Sequence, residues 1–92
     1  MNKVLYFRSP GCGVCVDLKP KVKQLINTRF SKLEFELVDI STTPEIASKH
    51  TVFTAPTVLV FFDGKETLRF ARHMSIGEIE EKVGRLYELY FG

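Results

Sequence analysis

The chain has few of the side chains that build metal centres, since its 92 residues include only two cysteines and two histidines. A structural zinc site usually takes four protein ligands, and Cys12 and Cys15 are the only cysteines available. The histidines, His50 and His73, lack the paired spacing of a zinc finger. The sequence therefore predicts no metal site.

Strong charge of one sign and long apolar segments are also missing. The formal net charge is +2, and the charges are spread along the chain without a basic run, so no nucleic-acid partner is predicted. No segment approaches the ~18 apolar residues of a membrane span, so no membrane partner is expected. Residues 1–3 lead into a short strand-like run instead of the apolar region of a signal peptide. We therefore expect a reducing cytoplasm, where an isolated cysteine pair is usually catalytic.

The two cysteines form a Cys-Gly-Val-Cys motif at the junction between a predicted strand, about 3–7, and a predicted helix, about 12–28. Cys12 would lie at or just before the first helical turn, with its sulfur near the backbone N–H groups of Val14 and Cys15. Those unpaired donors and the positive end of the helix dipole favour the thiolate, which is the species that attacks disulfides.

The spacing leaves Cys15 one turn below Cys12, close enough to attack a mixed disulfide formed there. A purely structural disulfide is the alternative, but it would close a loop too small to restrict the unfolded chain much. A motif of this kind near a strand-helix-strand pattern in a cytosolic chain is typical of redox proteins. The sequence thus favours a redox-active pair.

Apolar periodicity and turn residues divide the chain into seven elements in the order β-α-β-α-β-β-α. The predicted elements are strand 3–7, helix 12–28, strand 33–40, helix 44–50, strand 57–62, strand 66–71 and a last helix from 76. Thr43 is a candidate N-cap, Asp63 and Gly64 signal a hairpin, and Ser75 opens a capping box with Glu78. One apolar face of the last helix comprises Ile76, Ile79, Val83, Leu86, Tyr87 and Tyr90. With no linker or repeat, we expect a single domain, 1–92.

This ordering resembles the thioredoxin superfamily along essentially the whole chain. Pro20 falls eight residues after Cys12, where thioredoxins have the proline that kinks the active-site helix. Ala55, Pro56 and Thr57 match the cis-proline element of the family. The resemblance implies an α/β thioredoxin-like fold in three layers, with a four-stranded mixed sheet flanked by helices, and a cis bond before Pro56.

The resemblance also implies the site. Cys12 is expected to attack substrate and Cys15 to resolve the mixed disulfide, while Ala55 and Pro56 would bind a substrate segment like an added strand. Gly11, where thioredoxins have Trp, and Arg72, where they have glycine, are expected to contribute to substrate binding. Because the electrons reside in the dithiol, no cofactor is implied. For Arg72 the alternative is a solvated surface arginine.

Three departures from the family pattern bear on mechanism. Tyr6 and Leu37 occupy the positions of the buried Asp and Lys that help thioredoxins to remove the proton of the resolving thiol. The usual Gly-Pro between the cysteines is Gly-Val. The paired glycines and acidic residue that glutaredoxins use against glutathione are replaced by residues 72–75. Because the buried carboxylate is missing, we expect slower resolution than in ordinary thioredoxins.

The function predicted is reduction of protein disulfides, with a reducing partner of the thioredoxin reductase type and a monomeric protein. One alternative is a glutathione-dependent oxidoreductase, because the segment before Cys12 looks as much like a glutaredoxin as a thioredoxin. Another is a non-catalytic adaptor that uses the fold as a binding module.

Overall fold

A computed structural model describes residues 1–92 and contains the seven elements in the expected order. Their bounds are β1 Lys3–Arg8, α1 Gly13–Arg29, β2 Glu34–Asp39, α2 Pro44–Lys49, β3 Thr57–Phe62, β4 Lys65–Ala71 and α3 Ile76–Phe91. Each observed boundary lies within one residue of the predicted one. No helix is both long and apolar enough to cross a membrane.

The four strands form one mixed sheet in the order β2-β1-β3-β4. β1 pairs in parallel with β2 and antiparallel with β3, and β3 pairs antiparallel with β4. Helices α1 and α3 cover one face of the sheet, and α2 covers the other. The predicted three-layer α/β architecture is therefore confirmed.

The side chains of β1 alternate between the two faces, as the period of a strand requires. Val4 and Tyr6 pack in the larger core cluster beneath α1 and α3, whereas Leu5 and Phe7 pack in the smaller cluster beneath α2. Every residue of the central strand β3 is buried, which explains its continuous apolar sequence. The end of β1 is thereby held firmly between two layers, and α1 begins shortly after it.

The helices start within one residue of the predicted positions, but of the caps predicted at Thr43 and Ser75 only one forms. Ser75 accepts a hydrogen bond from the backbone N–H of Glu78 at 3.1 Å. Thr43 occupies the N-cap position of α2 without making a side-chain cap. Its hydroxyl donates instead to the backbone oxygen of Asp39 at 2.8 Å, so the loop after β2, not the helix, gains the hydrogen bond.

The terminal helix packs against the rest of the protein through its aromatic residues. The ring centroids of Tyr87 and Phe30 are 5.1 Å apart. Tyr90 is 43% exposed, but its ring stacks on the buried Phe62 at 4.7 Å. The apolar face of α3 is therefore buried at Ile79 and only partly covered towards the end of the helix.

His50 forms the C-cap of α2. It is partly buried, and its ring lies edge-on to Phe61 at 5.4 Å and to Phe7 at 6.3 Å. This burial, with the nearby cation of Lys49, lowers the pKa of the His50 imidazole. The residue belongs to the packing under α2.

Candidate active site

The chain passes from β1 to α1 through a tight turn that carries the first cysteine. Gly11 has a φ of +77°, a conformation that favours glycine. The backbone N–H of Cys12 donates to the oxygen of Ser9 at 3.3 Å, which closes the turn. Cys12 then takes the N-cap position of α1 with extended backbone angles. Strand, turn and helix together fix this cysteine at the start of the helix.

The Cys12 sulfur accepts a hydrogen bond from the backbone N–H of Cys15 at 3.1 Å. This is one of the unpaired donors of the first helical turn, so the expected interaction is present at that position. The N–H of Val14, which the sequence analysis also placed near the sulfur, makes no such bond. A single backbone donor, aided by the helix dipole, therefore faces the sulfur.

The two cysteines are joined as a disulfide with their Cα atoms 5.3 Å apart. Cys12 is partly exposed at the surface, whereas Cys15 is 1% exposed. An incoming thiol or disulfide can therefore approach Cys12 but not Cys15.

Tyr6 lies under the pair, at the position where thioredoxins have a buried carboxylate. Its side chain is fully buried, and its hydroxyl donates to the backbone oxygen of Cys15 at 2.8 Å. Burial raises the pKa of Tyr6 to about 12. At neutral pH Tyr6 is thus a hydrogen-bond donor that positions the helix, and it has no basic form available to accept a proton.

Leu37, at the position of the family's buried lysine, is 41% exposed. It pairs in register with Tyr6 across the β1–β2 ladder. The chain therefore replaces the family's polar pair by one buried phenol and one partly exposed leucine.

A groove of about 610 Å³ opens beside Cys12. Its lining residues are Cys12, Gly13, Val14, Ala55, Pro56, Arg72, His73 and Met74. Four of the six predicted site residues are therefore on or beside one groove. Cys15 lies beneath it and Gly11 is in the turn before it, so neither forms its wall. His73 and Met74 also form the wall and were not predicted from the sequence, although both follow Arg72 in the segment where the glutaredoxin pattern is lost.

The loop around Pro56 is held against the loop that carries Arg72. The peptide bond between Ala55 and Pro56 is cis, as the resemblance implied. The Pro56 oxygen accepts a hydrogen bond from the backbone N–H of Arg72 at 3.0 Å. Arg72 has a φ of +63°, in the region where glycine is preferred, and its side chain is exposed. The backbone thus keeps a glycine-like conformation while the side chain adds a cation to the groove.

Arg8, at the end of β1, forms an ion pair with Asp39, its register partner at the end of β2. Hydrogen bonding from Ser41, opposed in part by desolvation and aided by Arg8, lowers the pKa of the Asp39 carboxyl. Neither residue of this pair lines the groove that contains Arg72.

A vicinal cysteine pair at the start of a helix, on a four-stranded sheet of this topology, defines a thiol-disulfide oxidoreductase of the thioredoxin fold. The thioredoxin family model matches residues 1–84. The chain belongs to the thioredoxin family.

Individual relatives agree with this assignment. The chain is 34% identical to the thioredoxin-like protein YdfQ of Bacillus subtilis (strain 168) over 88 residues, which cover 96% of this chain and 78% of the relative. It is 26% identical over 83 residues to a thioredoxin of Staphylococcus epidermidis, covering 87% of this chain and 80% of the relative.

Among solved structures, thioredoxin 1 from Thermosipho africanus TCF52B superposes with a TM-score of 0.86 at 31% identity, covering 95% of this chain and 96% of that chain. The thioredoxin of Fasciola hepatica gives a TM-score of 0.73 at 30% identity, with coverages of 97% and 80%. The glutathione-dependent and non-catalytic alternatives are not better supported by these comparisons.

Proposed function

We propose that this thiol-disulfide oxidoreductase reduces protein disulfides with Cys12 as the nucleophile and Cys15 as the resolving thiol. The observation that carries the proposal is the contrast between the two: Cys12 borders an open groove with its sulfur on a backbone N–H, whereas Cys15 is buried one turn below. Only Cys12 is positioned to meet a substrate.

In the first step the Cys12 thiolate attacks one sulfur of a substrate disulfide. The substrate S–S bond breaks, a mixed disulfide forms at Cys12, and one substrate thiolate leaves. In the second step the Cys15 thiolate attacks the Cys12 sulfur and displaces the other substrate thiolate. Two electrons have then passed to the substrate, and the Cys12–Cys15 disulfide remains.

The Cys15 proton must leave before the second step, and no buried carboxylate faces it. Tyr6 donates its proton to a backbone oxygen and has a pKa of about 12, so it does not act as the base. Water, or the substrate thiolate released in the first step, takes the proton instead. Resolution is therefore the step that should be slower than in relatives with the carboxylate.

The groove supplies the substrate contacts. An extended substrate segment can pair with the backbone of Ala55, next to Pro56, as if adding a strand. Arg72 narrows the opening and places a positive charge beside Cys12, which favours acidic segments through interactions that salt screens. Gly11 leaves the approach over the turn open, because it has no side chain.

We further propose that the chain acts as a single monomeric domain in the cytoplasm and that a reductase of the thioredoxin reductase type returns it to the dithiol. That reductase must supply two electrons per cycle to the Cys12–Cys15 disulfide. Reduction of the Cys12–Cys15 disulfide by a thioredoxin reductase would support this partner. Glutathione consumption in a hydroxyethyl-disulfide assay would point to the glutathione system instead.

The proposal is tested by trapping. Cys15→Ser should accumulate mixed disulfides on Cys12 that reducing agents release, because the second step is blocked. Cys12→Ser is the matched control and should trap almost nothing, since Cys15 is buried. Equal trapping by both variants, or trapping through Cys15 alone, would contradict the assignment of roles.

A further inference from the structure

A second cleft, of about 630 Å³, shares no lining residue with the substrate groove. Its lining residues are Arg8, Cys15, Val16, Lys19, Pro20, Lys23 and Leu37. Cys15, Lys19 and Lys23 are spaced four residues apart, so they follow one line along the helix surface. The cleft therefore leads from the resolving cysteine along α1, between the helix and the edge strand β2.

The charges of this cleft are all positive, since Arg8, Lys19 and Lys23 line it and no carboxylate does. Arg8 is paired with Asp39, which belongs to the neighbouring surface. Lys19 and Lys23 form no ion pair, although Lys19 is partly buried. Two lysines four residues apart also repel each other and weaken the helix slightly. These cations are arranged so that an added anion would relieve their repulsion.

Apolar side chains border the same cations. Val16 is 64% exposed and Leu37 is 41% exposed, on opposite walls of the cleft. Exposed apolar contacts beside unpaired charges suit a protein partner better than a small inorganic anion, which would leave this apolar surface in water.

The distance to the reactive sulfur fits a single bound segment. Lys19 and Lys23 are seven and eleven residues after Cys12, which corresponds to about 10 and 16 Å along a helix axis. An extended chain covers these distances in about three to five residues. A partner joined to Cys12 can therefore place side chains three to five residues from its own cysteine at the two lysines.

We propose that the Arg8/Lys19/Lys23 cleft is a second docking site, which binds acidic side chains three to five residues from the target cysteine of a protein partner. The inference rests on the proposed function, because it assumes that partners bind covalently to Cys12. It adds a recognition site separate from the groove that contains Arg72.

The test uses peptides whose single cysteine is disulfide-bonded to a chromogenic thiol. One peptide carries aspartates three to five residues before the cysteine, a second carries them after it, and matched peptides carry asparagines. The wild-type protein should reduce at least one acidic peptide with a higher kcat/KM than its neutral match. For the double variant Lys19→Gln/Lys23→Gln, kcat/KM on that peptide should fall about fivefold, because two exposed ion pairs of modest strength are lost.

Lys21→Gln is the control on the same helix, because it removes one positive charge from α1 at a residue that lines a different depression, with Gln24 and Ile76. It should leave the preference for the acidic peptide unchanged. An equal loss in Lys21→Gln, an equal loss on the neutral peptide, or no loss in the double variant would each overturn the docking site. Reduction of the neutral peptide by every variant would show that the proposed disulfide reductase activity stands independently of this outcome.

Discussion

Cys12 and Cys15 are one helical turn apart, but the regions around them are built on different principles. On the Cys12 side, the sulfur contacts a backbone N–H, and the groove wall includes the backbone of the Ala55–Pro56 loop. On the Cys15 side, the neighbour beneath is the side chain of Tyr6. Backbone donors exist at any helix start, whereas the groups beneath Cys15 depend on which side chains β1 and β2 supply.

The chain keeps the family features around Cys12 and lacks those around Cys15. Formation of the nucleophile requires only the strand, turn and helix, and these are present. Assistance with removal of the Cys15 proton depends on particular side chains, and here a buried phenol and a partly exposed leucine occupy the positions where thioredoxins have Asp and Lys. The features that the chain shares with the thioredoxin family therefore concern attack by Cys12 more than resolution by Cys15.

The largest expected effect is the difference in thiol reactivity between the two sides. In the reduced protein, alkylation followed against pH should show one thiol that reacts well below pH of about 8.5, at least tenfold faster at neutral pH than an ordinary cysteine. The reason is the backbone donor and helix dipole at Cys12. Cys12→Ser should remove this reactivity, and Cys15→Ser should keep it. Preferential alkylation of Cys15 would contradict the prediction that Cys12 is the more reactive thiol.

The next effect concerns Tyr6 and the stability of the oxidised protein at alkaline pH. The folded pKa is about 12 and the ordinary value is 10.0. Between these values the unfolded chain loses the phenol proton while the folded chain retains it, so the free energy of unfolding should fall as pH rises, by about 2–3 kcal/mol in all. Below pH 10 the phenol is protonated in both states, so none of this stability is lost.

Denaturant unfolding of wild type and Tyr6→Phe at pH values from neutral to about 11.5 measures this effect. The phenylalanine variant should cost about 1 kcal/mol at neutral pH, because the Cys15 oxygen loses its partner. It should also lack the additional alkaline loss, since it has no phenol to ionise. Parallel pH dependences for the two proteins would contradict the burial argument.

The sequence was sufficient for the features that depend on local pattern. The fully buried β3, the Ser75 cap and the position of Cys12 follow from apolar runs, cap residues and the strand-to-helix junction. The family resemblance added the cis bond before Pro56.

The features that the sequence did not reveal depend on tertiary neighbours. His50 is partly buried because Phe7 and Phe61 come together on one face of the sheet. The hydrogen bond from Tyr6 to Cys15 joins residues on different elements. Thr43 had two possible hydrogen-bond partners, its own helix and the end of β2, and local pattern does not decide between them. Arginine itself gives no indication of the positive φ at position 72, which only the glycine of the family pattern suggests.

A smaller effect is expected from Arg72 in the groove. Arg72→Gly should raise turnover on a bulky neutral disulfide such as insulin and weaken the salt dependence with an acidic substrate, each by about two- to fivefold, as for an exposed ion pair. Stability should change by less than about 1–2 kcal/mol, because glycine accepts the positive φ without strain. Arg72→Asn is the matched variant, since it removes the charge but keeps a side chain that tolerates this backbone. Unchanged rates on both substrates would remove Arg72 from the site.

The smallest expected effect is on the pH dependence of resolution, and it separates positioning by Tyr6 from proton transfer by Tyr6. Release of the second substrate thiol, measured in a single turnover, should accelerate with pH as more Cys15 thiolate forms. Because Tyr6 has a pKa of about 12 and donates to a backbone oxygen, Tyr6→Phe should shift the rate without changing the shape of this profile. If the rate of release in Tyr6→Phe no longer rises with pH, the phenol is the base. A side chain would then accept the Cys15 proton, contrary to the proposed mechanism.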